Sequence, residues 1–426
     1  MAREARILTD KLARVFLAYP AILKNNNGHC PLRGGRRRMR FVHSSDLQIG
    51  KVFGYFDPAI SALLQDARQG AVRALGELAV KHGASAVLVA GDIYDRQQLS
   101  PQTLGKPIEG MRQFPNVMWH LMPGNHDHVR ENGLWDRLAR GNLPENIRLH
   151  TGPGAVKIAD DDETPVFLLP APLPHIANVD DLTGYMDKES TPEGAIRVGM
   201  AHGSIQGFGS EGDASNYVAP SRAETAGLGY LAMGDWHRQM CINERVWYSG
   251  TPEPDQFKRP SGSPGTLCNG GGALVVDIGG VRASPSVIPV EIARYRWHQV
   301  SKTLTDDGQI ALLEAELRGI APDLSKVVLD LQVAGTLSLS GRKSFEERIV
   351  DGVGAAFCGM RIHDEKLVLE PSDADMDDID RSGFVRVAAD RLKALAEDTV
   401  DPERSRLARL ALRRLYIEHL RQAGQQ

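Results

Sequence analysis

From residue 39 onward, short apolar segments alternate with segments whose apolar residues recur every three or four positions. The first pattern predicts strands and the second predicts amphipathic helices. The clearest helix is ISALLQDARQGAVRALGELAVKHG, which we expect to end at Gly83. The segments MRFVHSS, SAVLVAGD and NVMWHLMPG predict buried strands, with a helical connection between the last two. This alternation is typical of an α/β protein.

Strand-like segments continue to about residue 288: PVFLLPAP, IRVGMAHG, GYLAMGD, RVWYSGTP and GALVVDIGG. They predict an α/β domain over residues 39–288, with a layered sheet that is mixed or doubled in its later part. Residues 289–372 mix strand and helix patterns and predict a small α+β domain. Residues 373–426 predict an acidic linker, PSDADMDDID, followed by C-terminal helices at about 382–397 and 402–422. The last helix carries Leu and Ile on one stripe and Arg on the others.

Residues 1–38 differ from the rest of the chain. They show a weak helical pattern and then KNNNGHCPLRGGRRR, which is polar, basic and without strand alternation. We expect a flexible N-terminal extension outside the fold. A nucleic-acid-binding arm is the rival interpretation, but short basic runs are usually solvated.

Composition narrows the class of protein. A hydrophobic fraction of 42% and a charged fraction of 24% are ordinary for a globular protein. The net charge of -4 gives no global signature of nucleic-acid binding, although a local basic groove stays open. The four cysteines form no CxxC pair, which argues against thiolate zinc sites and favours a cytoplasmic location. No apolar run is long enough for a membrane span, so we expect no membrane partner.

Polar side chains follow five of the predicted strands, at the point where each strand ends. Because the carboxyl ends of parallel strands share one edge of a sheet, these side chains should converge. A single Asp or His there would be a cap or a core residue, but five such exits indicate a site. Oxygen and nitrogen ligands without thiolate suit Mn, Mg, Fe or Zn. The residues are Asp46 in SSDLQ, Asp92 in AGDIYD, Asn125 and His126 in PGNHD, His202 in AHG, and Asp235 and His237 in GDWH.

The ordered motifs DLQ, GDIYD, GNHD, AHG and GDWH resemble those of the calcineurin-like metallophosphoesterases. The contexts GLGYLAMGDWHR and WYSGTPEPDQF are similar to the Mre11/SbcD-like exonucleases of DNA repair. The resemblance implies a metallophosphoesterase sheet sandwich with a smaller C-terminal capping domain. It further implies DNA as substrate, a Rad50/SbcC-like ATPase as partner, and allows a homodimer.

The resemblance also implies a role for each residue. Asp92 would bridge two divalent ions about 3.5–4 Å apart. Asp46 and His237 would complete one metal site, while Asn125 and His202 would serve the other.

Three residues near the third motif would act on the substrate. His126 would be the acid, or the group that stabilises phosphate at the leaving oxygen. Asp127 would orient His126 or brace the loop. His128 is a candidate for substrate contact, although it also fits an exposed loop position.

Two positions depart from the family pattern, which is Asp-x-His in the first motif and Gly-His-x-His in the last. Here Gln48 and Asp235 take the places of imidazoles. Both changes harden the ligand set, which favours Mn or Mg over Zn or Cu, and we predict a site that prefers Mn. An inactive, degenerate site is the alternative.

Three functions follow. The first is a metal-dependent DNA exonuclease or endonuclease. The second is a phosphodiesterase for small or cyclic nucleotides, which the same metal site could serve. The third is a noncatalytic DNA-binding scaffold, which Gln48 and Asp235 favour and the retained ligands oppose.

Overall fold

The computed structural model describes most of the chain from Met39 onward. The expected N-terminal extension and the acidic linker PSDADMDDID lie outside the described residues. The described ranges are 39–161, 164–206, 215–257, 266–268, 270–281, 283–369, 383–397 and 401–423.

The elements alternate between strands and helices, as the sequence predicts. In chain order the strands are β1 (Met39–Ser44), β2 (Ala86–Ala90), β3 (Met118–Met122), β4 (Ile147–Leu149), β5 (Val156–Asp161), β6 (Thr164–Ala171), β7 (Ile196–His202), β8 (Ser204–Ile205), β9 (Tyr217–Val218), β10 (Tyr230–Gly234), β11 (Gln239–Cys241), β12 (Val246–Tyr248), β13 (Thr266–Cys268), β14 (Gly272–Ile278), β15 (Ser286–Glu291), β16 (Arg296–Leu304), β17 (Val327–Leu337) and β18 (Gly359–Leu369). The helices are α1 (Pro58–His82), α2 (Pro101–Arg112), α3 (Leu134–Arg140), α4 (Arg222–Thr225), α5 (Gln309–Arg318), α6 (Leu339–Phe345), α7 (Phe384–Ala396) and α8 (Pro402–Ala423).

Two mixed sheets form the larger part of the molecule. The first has the strand order β15-β14-β1-β2-β3-β4, in which β1 to β4 are parallel and β14 and β15 antiparallel. The second has the order β13-β11-β12-β10-β7-β6-β5, with β6, β7, β10 and β12 parallel. Strand β2 lies against β7 and β10. The predicted layered α/β arrangement, with a doubled sheet and flanking helices, is confirmed.

Helix α1 shows why the predicted boundaries were accurate. Asp57 caps its start, where the carboxylate accepts the Ala59 N–H at 2.8 Å, and Pro58 occupies the first turn. Gly83 ends it with a positive φ of 65°. Its apolar stripe, which includes Val72 and Leu75, packs into the core of the first sheet.

Strands β16, β17 and β18 form the smaller sheet, and its topology differs from the prediction. Both pairings are parallel, and α5 and α6 lie in the connections between the strands. The unit is therefore α/β rather than α+β, because parallel neighbours need crossover connections. We call β16 to β18 with α5 and α6 the C-terminal sheet unit. The boundary expected at residue 288 lies inside β15, which pairs with the first sheet up to Glu291.

An aromatic cluster joins the C-terminal sheet unit to the larger sheets. The Trp297 ring lies 5.9 Å from those of Phe53 and Phe56 and 4.7 Å from that of Phe257. Trp297 is buried, and Val328 of β17 packs in the same cluster. Burial of these large side chains fixes the unit beside the loop that follows the first motif.

Glu253 adds a polar clamp at this junction. Its buried carboxylate accepts the backbone N–H groups of Arg294 at 2.8 Å and Tyr295 at 2.9 Å. Burial raises the pKa of Glu253 to about 7, despite these hydrogen bonds.

Helices α7 and α8 pack against each other through a cluster that includes Leu339, Ala389 and Leu412. Across the described parts of the chain, none of the helices combines the length and apolarity that a membrane span requires.

We predict that Glu253→Ala destabilises the protein, because two buried N–H groups lose their acceptor at a cost of about 1–3 kcal/mol. The folded-state pKa is raised, so the carboxyl favours the folded state most at low pH and loses this advantage as pH rises towards about 7. The stability difference between wild type and variant should therefore narrow with rising pH in urea titrations.

The matched control is Glu291→Ala, whose exposed carboxylate pairs with exposed Arg296 and should change stability little. An equal loss of unfolding free energy in the two variants would contradict the stabilising role of Glu253.

Candidate metal centre

The predicted site residues lie together where strands of the two large sheets end. Asp46 follows β1, Asp92 follows β2, and Asn125 follows β3 in the first sheet. His202 ends β7 and Asp235 follows β10 in the second sheet. The convergence expected at the carboxyl ends of parallel strands is thus present in both sheets.

The backbone at this edge is strained. Asp46, Gln48, Asp92 and Asp235 have positive φ angles of 55°, 44°, 54° and 94°. Non-glycine residues rarely adopt such angles, and those that do concentrate at functional sites. The strain turns each strand exit sharply and keeps these side chains at the shared edge.

His202 stands inside a group of oxygen atoms. Its Nδ1 lies 2.9 Å from the Ala90 carbonyl, to which it donates, so Nε2 is the nitrogen that can bind a cation in place of a proton. Around Nε2 lie Asn125 Oδ1 at 3.1 Å, Asp92 Oδ1 at 3.6 Å and Asp235 Oδ1 at 3.7 Å. An imidazole nitrogen surrounded by oxygens of these types is a donor set for a divalent cation. We call these four side chains the His202 cage.

Glycines bring the two sheets close enough to form the cage. A Cβ on Gly234 would lie 1.9 Å from the Ala90 carbonyl oxygen and 2.7 Å from His202 Nδ1. A Cβ on Gly124 would lie 2.2 Å from Asp92 Oδ1. Any larger residue at either position would push the ligand strands apart.

The carboxylates create a strong negative field. Burial raises the pKa of Asp46 and of Asp235 above the ordinary range. Burial lowers the pKa of His202, but the Asp92, Asp46 and Asp235 carboxylates outweigh it and raise that pKa to about 9. One ligand atom from each of Asp46, Asp92 and His202 lies within 4.8 Å of the others. The centre is thus arranged to hold positive charge.

The other half of the centre is built around His237. Its Nδ1 lies 2.8 Å from Asp255 Oδ1, and Gln48 Nε2 lies 3.1 Å from its Nε2. The Gln48 oxygen, expected as a metal ligand, accepts from Lys51 Nζ at 2.7 Å instead. Lys51 also contacts Asp255 Oδ2 at 2.5 Å, as does Arg68 at 3.1 Å. We call Gln48, Lys51, His237 and Asp255 the His237 group.

His126 lies at the open side of the centre. Its Nδ1 lies 2.9 Å from the Asp95 carbonyl, which fixes the ring and leaves Nε2 3.9 Å from Asp92 Oδ2. Its side chain is 41% exposed. His126 can therefore reach both a bound substrate and the buried carboxylates.

Asp127 lies beneath the loop and is fully buried. Its carboxylate accepts the N–H groups of Gly124 at 2.7 Å and Tyr94 at 3.1 Å, and its carbonyl accepts from Trp135. Of the two predicted roles, these contacts match bracing of the loop. The orienting contact of His126 comes from Asp95 instead.

Two other histidines lie near the centre. His128 is partly buried rather than exposed, with Nδ1 3.1 Å from the Asn125 carbonyl. His43 is buried and bonds to the Tyr230 hydroxyl at 2.9 Å, so it is a core residue.

Sequence reasoning missed Lys51, Arg68 and Asp255. Asp255 stands in WYSGTPEPDQF, a segment that had been noted only for its resemblance. Arg68 is an apparent surface position of an amphipathic helix, yet it is 1% exposed and donates to the Leu47 and Glu253 carbonyls. The one signal in the sequence for its burial is its position on the apolar stripe of the helix, beside Leu64, Ala67 and Ala71.

Residues 39–239 match the family model of calcineurin-like phosphoesterases. The match covers just under half of the chain. A curated relative, the uncharacterized metallophosphoesterase YhaO of Bacillus subtilis, is 23% identical over 236 residues. The aligned region covers 52% of this chain and 54% of YhaO, so the chain spans about half the length of this curated relative.

Three solved structures are also similar. TT1561 of Thermus thermophilus has a TM-score of 0.37 and 11% identity over 61% of this chain and all of that one. GAP50, the anchor in the inner membrane complex of Plasmodium, has a TM-score of 0.37 and 9% identity. The similarity covers 61% of this chain and 89% of GAP50. The purple acid phosphatase PPD1 of yellow lupin has a TM-score of 0.36 and 11% identity. The similarity covers 59% of this chain and 51% of PPD1. Similarities this weak carry no inference about activity.

The family match and the buried Asp/His cluster together point to a divalent-metal centre of the calcineurin-like phosphoesterase type. The donor set fits divalent metal ions. The residues that could hold them are Asp46, Asp92, Asn125, His202, Asp235 and His237.

We predict that Asp92→Asn lowers metal affinity and raises the stability of the metal-free protein. The amide removes one of several crowded negative charges while keeping an acceptor for the His126 N–H. Loss of a ligand should cost more than the roughly 10–100-fold that loss of an outer partner costs. Thermal melting with and without Mn²⁺ measures both effects.

Asp66→Asn is the matched control, since Asp66 is exposed and pairs with Arg294 at the surface. A Mn²⁺-induced shift of wild-type size in Asp92→Asn would contradict the assignment.

Proposed function

We propose that this protein is a metal-dependent phosphodiesterase that cleaves DNA, as an exonuclease or endonuclease in DNA repair. The observation that carries the chemistry is the part-exposed His126 side chain, whose Nε2 lies 3.9 Å from Asp92 Oδ2, beside a buried set of metal ligands. Hydrolysis of a phosphodiester needs a proton for the leaving oxygen, and a histidine fixed through its other nitrogen can donate one.

Different residues of the centre would position the substrate, donate the proton and hold the metal. The Asp95 carbonyl holds His126 Nδ1–H, so the ring presents Nε2 to the substrate and, when protonated, gives that proton to the leaving oxygen. Asp127 keeps the loop in place through Gly124. Divalent metal held by the carboxylates, Asn125 and His202 would neutralise phosphate oxygens and activate water. Mn is the metal we favour, because the predicted ligand set is rich in oxygen.

Basic and aromatic side chains around the centre support a nucleic-acid substrate. Arg96 lies next to Asp95, is half-exposed, and donates to the Gly50 carbonyl. Arg361 of the C-terminal sheet unit lies over the rings of Tyr55 at 5.3 Å and Phe257 at 5.0 Å, and Tyr55 is 50% exposed. Cations that bind phosphates and rings on which bases stack are the usual combination for single-stranded nucleic acid. In this proposal, the C-terminal sheet unit caps the centre and shapes access.

A Rad50/SbcC-like ATPase is part of the same proposal. Helices α7 and α8 expose large apolar side chains, which would suit a protein partner. The exposed fractions are 85% for Phe384, 56% for Val387, 53% for Leu407 and 49% for Leu410.

We predict that the purified protein cleaves labelled single- or double-stranded DNA with Mn²⁺ and that His126→Ala lowers kcat by about 10²–10⁴-fold. The variant should bind Mn²⁺ and DNA like wild type, because His126 is not among the cage ligands. His175→Ala, at an exposed loop position, is the control.

The other functions are outcomes of the same assay. Hydrolysis of bis-p-nitrophenyl phosphate without DNA cleavage would favour a small-molecule phosphodiesterase. DNA binding without turnover of either substrate would favour a scaffold. Full DNA cleavage by His126→Ala would overturn the assigned acid.

A further inference from the structure

We propose that the Lys51 ammonium takes over, on the His237 side of the centre, the charge that a second divalent ion would supply. The chain would then bind one divalent ion, in the His202 cage. This inference concerns metal stoichiometry and holds whichever phosphate ester is the substrate.

The hydrogen bonds of His237 close its metal-binding position. Asp255 Oδ1 lies 2.8 Å from Nδ1, so His237 donates there and Nε2 keeps the lone pair. Gln48 Nε2 lies 3.1 Å from that Nε2 and donates to it. The amide N–H thus occupies the direction in which His237 would bind a cation.

Lys51 fixes the orientation of the Gln48 amide. Its Nζ lies 2.7 Å from Gln48 Oε1 and 2.5 Å from Asp255 Oδ2. Turning the amide over would place an NH₂ group, which has no acceptor, against an ammonium. The Gln48 oxygen is therefore held on Lys51 and away from a metal.

Charge on the His237 side is already balanced by protein groups. Asp255 is 1% exposed at its side chain and lies within 3.1 Å of Lys51, Arg68 and His237. A further divalent ion beside this ammonium would meet electrostatic repulsion, which a partly buried environment screens only weakly.

The His202 side has the opposite composition. Nε2 of His202 faces oxygens of Asn125, Asp92 and Asp235 at 3.1–3.7 Å. Asp235 replaces the imidazole of the family pattern and so adds a negative charge to this side. The two departures therefore act together: Gln48 removes a ligand from one half, and Asp235 strengthens the other.

The test is the number of Mn²⁺ ions bound, measured by native mass spectrometry and metal analysis after dialysis. Wild type should hold one ion and give the electron paramagnetic resonance spectrum of an isolated Mn²⁺. Gln48→His/Lys51→Met restores an imidazole and removes the ammonium, and it should hold two ions with a spin-coupled spectrum. Lys106→Met, at an exposed position of α2, is the control and should hold one.

Two ions in wild type, or one in the folded double variant, would overturn the proposal. A second pair of variants locates the ion even if the double variant fails to fold. His202→Ala should lose the ion and His237→Ala should retain it, whereas the reverse result would refute the assignment.

Discussion

The structure depends on several carboxylates that are buried together between two sheets. Asp46, Asp92 and Asp235 come from three strand exits, and Asp46 and Asp92 are almost completely shielded from water. Isolated charges are expensive to bury, so such a cluster persists only with compensating positive charge. Strained backbone angles, close glycine contacts and the Arg68 hydrogen bonds all hold this arrangement in place. The fold thus carries a local cost that a bound cation relieves.

Much of the fold followed from the sequence because local patterns and parallel topology determine it. The limits of α1 come from Asp57, Pro58 and Gly83, which act within a few residues of themselves. The meeting of Asp92 with His202 followed from one rule about strand ends. The parallel pairing of β16, β17 and β18 was missed because the same alternation of strands and helices fits more than one order.

The details of the site could not be predicted in the same way. Lys51 meets Asp255 across 204 positions of sequence. Which Asp255 oxygen it contacts, and whether Gln48 turns its oxygen or its nitrogen towards it, depends on side-chain rotamers. The same limit applies to Asp127, since motif resemblance allowed two roles and only the positions of Gly124 and Tyr94 distinguish them. The convergence of the candidate ligands could be predicted from the sequence, whereas the directions of their hydrogen bonds could not.

The glycine contacts determine how the two large sheets meet. A single methyl group on Gly234 would collide with the Ala90 carbonyl, so at this point main chain faces main chain with no side chain between the sheets. The spacing of the ligand strands is therefore set by main-chain contact rather than by side chains that can change rotamer. Gly234→Ala would thus alter the distances between the metal ligands, although residue 234 is not itself a ligand.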